Sequence, residues 1–410
     1  MSYFKKENIL FYAFNVVYFA CSSLYFGFIV MYLTAHGYSS FECGVINTII
    51  SLVEFLFQPV AGYITDTFLS IKKYIILCSV GAILTTYLLP LTVHNMLGAS
   101  VSVMLLTLFA YPLTYLADTW SVTLRESLSY IDYGKNRSGG SVGYSVTSAL
   151  AGVLIARFGY DLLFLLHVIL FAVVIVIVLF IPGVPCGNAR KQKKGEEGQQ
   201  PRPDQEESLS FGGIIKVLLR NQKYMVFLLS TFCFYMALKA WCTYIPYKII
   251  ELGGADKELG YAIALAAVGE IPILFIMNRC VQRFRLSFIY ITATLCLFAR
   301  GLLMLTAQSM SMVMLSELLE AFTYAFFIAV SLEMINRIVP RAIRTTAVTV
   351  EVAVTNGLSG IIGTFIGGIL VDRFGVDMMS LVMCVMSALG FLLFAVPTYL
   401  QFQRDRELVV

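Results

Sequence analysis

Polar residues in this chain fall in short clusters, and between the clusters run stretches of about twenty mostly apolar residues. A helix needs about 20 such residues to cross ~30 Å of hydrocarbon. On that measure the chain predicts twelve spans, near 9–33, 44–65, 74–93, 101–124, 138–156, 162–182, 224–249, 259–279, 287–306, 310–335, 345–371 and 377–400. The one long polar stretch, 183–223, holds Arg190-Lys191-Gln192-Lys193-Lys194-Gly195-Glu196-Glu197 with Pro201 and Pro203. That composition predicts a flexible charged linker between a six-helix bundle at 1–182 and a second at 224–410. The fold class expected is an all-α membrane protein.

The halves repeat each other. Glu42, Gly44 and Glu54 recur as Glu258, Gly260 and Glu270, a displacement of 216 residues. Gly152, Arg157, Phe158, Gly159 and Asp161 recur as Gly368, Arg373, Phe374, Gly375 and Asp377 at the same displacement. One duplication explains both. Parallel six-helix repeats are the plan of a large class of secondary transporters, with the substrate site at the repeat interface near the membrane midplane.

Composition agrees with lipid as the solvent. Hydrophobic residues make up 59% of the 410 and charged residues 13%, with a mean hydropathy of +0.81. A soluble domain is nearer half apolar and a quarter charged. The first apolar run follows Lys5-Lys6-Glu7; it is too long for a signal peptide and no small-residue cleavage site follows, so it is expected to be the first span. Of the 29 Lys and Arg, only Arg157, Lys248, Lys257 and Arg373 fall on one side, and Lys239 and Arg300 fall within spans. The rest gather on the side of both termini and the linker, which the positive-inside rule assigns to the cytoplasm. The expected location is the cell (inner) membrane.

The nine cysteines form no CxxC pair, and most lie in apolar runs where Cys acts as a small hydrophobe. His36, His94 and His167 are far apart, and no nucleophile–base, Walker A or EF-hand pattern occurs. The chain is expected to be no enzyme and to need no metal or cofactor. No nucleic-acid partner is expected, and the working form is expected to be a monomer in the bilayer.

Charges inside spans are costly and mark function by default. Counting residues from the outer surface puts Glu270 about 16 Å deep, Glu320 about 15 Å and Glu317 about 10 Å, with Lys239 and Arg300 at compatible depths. Three acids face two bases, and a low-dielectric cavity relieves that imbalance by protonating one carboxyl. A carboxyl that exchanges its proton with either side is what proton coupling needs. A fixed set of structural ion pairs, such as Lys239 with Glu317, is the competing expectation. Glu54, the repeat mate of Glu270, is a further proton-coupling candidate. Glu333 and Glu351, nearer the cytoplasmic ends, are expected to snorkel or to pair with Arg337 and Arg344. Trp120 is read as an interfacial anchor, and the glycines of span eleven as points of close helix approach.

Several motifs then appear in order. They are Gly62-x3-Asp66 with Lys72-Lys73, and Asp132-Tyr133-Gly134-Lys135-Asn136-Arg137 followed by Gly139, Gly140, Gly143 and Tyr144. Gly260-Tyr261, Gly269-Glu270 and Ala299-Arg300-Gly301 complete the set. It resembles the major facilitator superfamily, in its lactose-permease-like branch of oligosaccharide, phenylpropionate and nucleoside proton symporters. The resemblance implies a twelve-helix, proton-driven importer of a small polar solute. It implies substrate contacts from Asp118, Arg137, Tyr144, Glu270 and Arg300, with an aromatic ring beside a charged pair suiting a sugar ring or nucleobase; Lys239 joins them as a costly charge within a span. It points to Glu270, Arg300 and Glu320 for proton coupling, and to Gly62, Asp66, Lys72 and Lys73 as a conformational gate. The alternative is a proton-coupled efflux antiporter of the same fold, whose usual Gly-Pro in span five is missing here.

Overall fold

The computed structural model describes residues 5–125, 127–184, 211–340 and 343–407. Among the described residues, twelve long helices follow one another. In the first half they are α1 (Lys6–Ala35), α2 (Ser40–Thr67), α3 (Ile71–Thr92), α4 (Met96–Arg125), α5 (Tyr133–Phe158) and α6 (Asp161–Phe180). The second half has α7 (Gln222–Glu251), α8 (Asp256–Arg283), α9 (Leu286–Leu305), α10 (Met310–Ile338), α11 (Thr346–Phe374) and α12 (Val376–Leu400). Among the described residues, all but α8 are long and apolar enough to cross a membrane. The 28 residues of α8 reach about 42 Å, ample for a span. Each predicted span falls on one of these helices. The predicted linker lies mostly outside the described residues; its end forms a short helix, Phe211–Arg220.

Residue contacts group the chain into two compact units, Met1–Pro203 with Gly254–Val268, and Asp204–Gly253 with Gly269–Val410. The first part of α8, expected in the C-terminal bundle, thus groups with the first unit. In the first unit α1 packs on α5 and α6, α3 on α4 and α6, and α2 on α4. In the second, α7 packs on α11 and α12, and α9 on α10 and α12. Gly269 of α8 meets Ala321 and Leu318 of α10. The second pattern is the first displaced by six helices.

The repeat extends to helix ends. Among the described residues, positive φ occurs at Gly37, Gly159, Gly253 and Gly375, two pairs each 216 apart. Only glycine adopts that backbone without strain. The paired Glu42 and Glu258 are helix caps. Glu42 accepts from Ser39 N at 2.9 Å within a full capping box, and Glu258 accepts from Ala255 N at 3.0 Å. Part of the repeat seen in sequence is therefore helix-end chemistry rather than transport chemistry.

Glycines also let helices touch through their backbones. A Cβ on Gly143 of α5 would strike the Val16 carbonyl of α1, and one on Gly363 of α11 the Met236 carbonyl of α7. Small residues at such crossings permit the close approach on which membrane helix packing relies. α11 additionally contains a π-helical turn, Ala353–Leu358.

Candidate functional site

In the second unit, α9 and α10 bring a buried cation to two carboxyls. Arg300 is fully buried, and its Nη2 donates to Glu317 Oε1 at 2.7 Å and to Glu320 Oε2 at 2.9 Å. The two acids stand three residues apart on one face of α10, within hydrogen-bond reach of each other. Glu317 is 3% exposed, while Glu320 is more open and accepts from the Cys242 thiol of α7 at 3.4 Å. Arg300 Nε and Nη1 have no partner among the described residues. Gly301 follows; a Cβ there would collide with the Trp241 ring, so the glycine lets α7 pack close beside the arginine.

The expected Lys239–Glu317 pair is not the one formed. Arg300 takes Glu317 and Glu320. Glu317 therefore does not pair with Lys239, and Lys239 has no ion-pair partner among the described residues. The reason is azimuth: depth along a helix says nothing about which neighbour a side chain faces. Tyr235 stacks edge-on with Phe327 of α10 at 4.7 Å, and Cys242 meets Glu320. Lys239 lies between Tyr235 and Cys242 at helical spacing, half-buried, on the α7 face turned to α10.

In the first unit, Arg137 Nε lies 3.7 Å from Asp118 Oδ1, both partly exposed. The Tyr133 hydroxyl lies close to Asp118. The Arg137 guanidinium stacks on the Phe19 ring, 4.3 Å from its centroid. A Cβ on Gly140 would enter that stack, so the glycine makes the arrangement possible. Tyr144, two turns on from Arg137, is half-buried. Glu54 is buried, and Tyr18 lies within electrostatic reach of both Glu54 and Arg137. The ring that lies over Arg137 is that of Phe19, which no sequence motif marks.

Lys72 of the gate motif donates to the carbonyls of Leu179 and Ile181 at 2.8 and 2.9 Å, meeting the negative end of α6. Asp66 and Lys73 are exposed, and Gly62 has open space around it. Trp120 is no interfacial anchor: it is fully buried, its indole donates to the Pro182 carbonyl at 3.2 Å, and Phe11 packs edge-on against it. Glu333 pairs with Arg337 at 3.1 Å as expected. Glu351 does not snorkel: it is 5% exposed, and Arg344 donates instead to the Val339 carbonyl. Among the described residues no group of three or more His, Cys, Asp or Glu is placed to hold a metal ion.

Known proteins agree with this architecture. The profile of the MFS_1 like family matches residues 9–382. The maltose permease of Geobacillus stearothermophilus is 24% identical over 261 residues, 64% of this chain and 62% of the permease. An uncharacterized Bacillus subtilis transporter, YwbF, is 22% identical over 366 residues, 88% of this chain and 86% of YwbF. A probable 3-phenylpropionic acid transporter of Escherichia coli is 24% identical over 221 residues, 53% of each chain. Among solved structures, the nucleoside transporter NupG superposes with a TM-score of 0.76 at 13% identity, covering 96% of this chain and 98% of its own. A bacterial homologue of the human lysosomal transporter Spinster, inward-facing and unoccupied, gives 0.64 at 13% identity, covering 93% and 91%. With the profile covering nearly the whole chain and the fold shared with solved transporters, the protein belongs to the MFS_1 like family and is a multi-pass membrane transporter of the major facilitator superfamily.

Proposed function

We propose that this transporter is a proton-coupled symporter that imports a small polar organic solute by alternating access, with the proton gradient as its energy source and no cofactor. The observation that carries the reading is Arg300 bonded to both Glu317 and Glu320. Two carboxyls on one buried cation, in reach of one another, are neutral as a group only when they hold one proton between them. Like charges crowded at low dielectric do not both ionise. Glu320, the more open of the two, is the carboxyl that exchanges the proton. Glu270 and Glu54 are further candidates for that traffic.

The solute is a sugar or oligosaccharide, a nucleoside or an aromatic acid. Relatives named for maltose, 3-phenylpropionic acid and nucleosides support that range. Asp118, Arg137 and Tyr144 in the first unit would bind it, with Lys239, Glu270 and Arg300 in the second. Gly62, Asp66, Lys72 and Lys73 would form the conformational gate. Both termini and the linker face the cytoplasm, and one chain in the cell membrane suffices.

A thermal-shift panel of sugars, nucleosides and aromatic acids identifies the solute, because a ligand well above its Kd raises stability by RT ln(1 + [L]/Kd). In proteoliposomes with an imposed pH gradient, Glu320→Gln should then lose uphill accumulation while keeping counterflow exchange, and Glu270→Gln tests the second candidate. A permanently neutral side chain can be carried loaded in both directions but releases no proton. Accumulation at the wild-type level by both variants would sink this assignment.

A further inference from the structure

The Arg300 cluster is not the only place where the second unit buries an acid. Glu351 lies in the second turn of α11, about 8 Å from its start, and is 5% exposed. It makes no ion pair among the described residues. The described groups within its electrostatic reach are neutral: the Ser331 hydroxyl of α10 and the phenols of Tyr224, Tyr235 and Tyr290 of α7 and α9. Nearby cations are turned elsewhere. On its own helix Arg344 donates to Val339 O, and on α10 Arg337 holds Glu333. Lys223 and Arg285, at the starts of α7 and α9, are exposed.

A carboxylate buried without a cation is unstable relative to its protonated form, since nothing repays the lost hydration. We propose that Glu351 is a second intramembrane proton-binding site, separate from the Arg300–Glu317–Glu320 cluster, and that it carries an exchangeable proton in the resting transporter.

Two further features fit a group that trades its proton. The π-helical turn Ala353–Leu358 begins two residues later; such turns recur at functional sites in helices. There the Ser359 hydroxyl donates both to Val354 O and to Phe232 O of α7, which ties the irregular turn to the helix that carries Tyr235. Tyr235 itself lies close enough to feel both Glu270 and Glu351. Its phenol is thus coupled electrostatically both to a proton-coupling candidate of α8 and to the acid of α11, the latter near the end of α11 assigned to the cytoplasm. Proton binding at Glu351 stands independently of the proposed symport; a part in releasing protons to the cytoplasm rests on that reading.

The test needs no transported solute. Infrared spectra of the purified protein in lipid, with the proton as the probe, report protonated carboxyls by their C=O absorption. The wild type should show a band at neutral pH that disappears reversibly on alkalinisation and is absent from Glu351→Gln. Glu320→Gln should leave that band in place, and Ser331→Ala should shift it by changing the polarity around the carboxyl. A pH-indicator titration should count one fewer proton released per molecule of Glu351→Gln. A spectrum of Glu351→Gln identical to the wild type would overturn the proposal, and so would a band that never titrates. Should Glu351→Gln fail to fold, an unshifted band in Ser331→Ala overturns it equally. Loss of this band alone, with accumulation defects confined to Glu320→Gln, would leave the two sites distinct; neither result depends on the other.

Discussion

Arg137 pairs with Asp118 at 3.7 Å on one side and lies over Phe19 on the other, so its guanidinium is positioned with donors to spare. A planar fork held this way is suited to grip a hydroxyl pair or a carboxylate. Arg137→Ala should weaken solute binding about tenfold to a hundredfold by calorimetry, the worth of one or two hydrogen bonds to a charged group. Tyr144→Phe should change affinity by less than about threefold, because it keeps the ring and removes only the hydroxyl. Unchanged affinity in Arg137→Ala would return Arg137 to the role of a positive-inside residue. At this scale the sequence names the residues better than their partners. Arg300, Glu317 and Glu320 stand out because a charge in a span is expensive. That Arg300 chooses the two acids of α10 depends on helix rotation, which spacing within one helix does not reveal. Glu351 departs from expectation for a related reason: closeness to a helix end permits snorkelling, but the carboxyl is buried here.

Between helices, the decisive residues are those that leave space. Gly143 faces the Val16 carbonyl, a backbone atom with no rotamer to yield. Gly143→Ala should therefore force α1 and α5 apart and lower stability by about 1–3 kcal/mol or more, read as a lower melting temperature. Gly62→Ala has free space and should melt no lower than the wild type. A second element-level device joins the loop before α6 to the start of α8, inside the first unit. The Tyr160 hydroxyl donates to Asp256 Oδ1 at 2.6 Å. Burial lifts the Asp256 carboxyl above the usual aspartate range, with the Tyr160 hydrogen bond and a backbone bond partly offsetting it. An acid raised in the folded state adds stability below its unfolded value, about 3.9, and loses it as pH rises through the folded value. Asp256→Asn keeps an acceptor for Tyr160 without the charge. It should melt at or above the wild type at pH 7, and the difference should vanish near pH 4. A variant that melts lower at both pH values would mean the charge itself is needed. The motif at Gly159 and Gly375 was visible in sequence because its neighbours repeat as well. Gly37 and Gly253 stand at the same displacement, five residues before Glu42 and Glu258, and it is the backbone that shows why both are glycine.

For the molecule as a whole, twelve helices and their six-helix displacement were legible from hydropathy and from two polar patterns 216 residues apart. Hydrophobic period and span length are properties of the chain alone, so they survive translation into structure. The grouping of residues 254–268 with the first unit was not legible, because it depends on which helices meet rather than on where each begins. Orientation in the bilayer rests on charge. Arg157, Lys248, Lys257 and Arg373 are the few cations at one set of helix ends, and the other set carries nearly all the rest. Labelling of single cysteines tests this directly. The native cysteines are first replaced, with Cys242→Ser chosen so that Glu320 keeps a hydroxyl donor in place of the thiol. A cysteine is then placed at Gly98, in the first turn of α4, or at Gln199 in the linker. In intact cells a membrane-impermeant maleimide should modify Gly98→Cys and spare Gln199→Cys until the membrane is opened. The two sites lie on opposite sides only if an odd number of spans, here α4, α5 and α6, separates them, and which one is labelled reports the side on which α1 starts. The reverse pattern would invert the transporter and the direction of the proposed proton exit through Glu351. Equal labelling of both sites in sealed cells would break the six-span count itself.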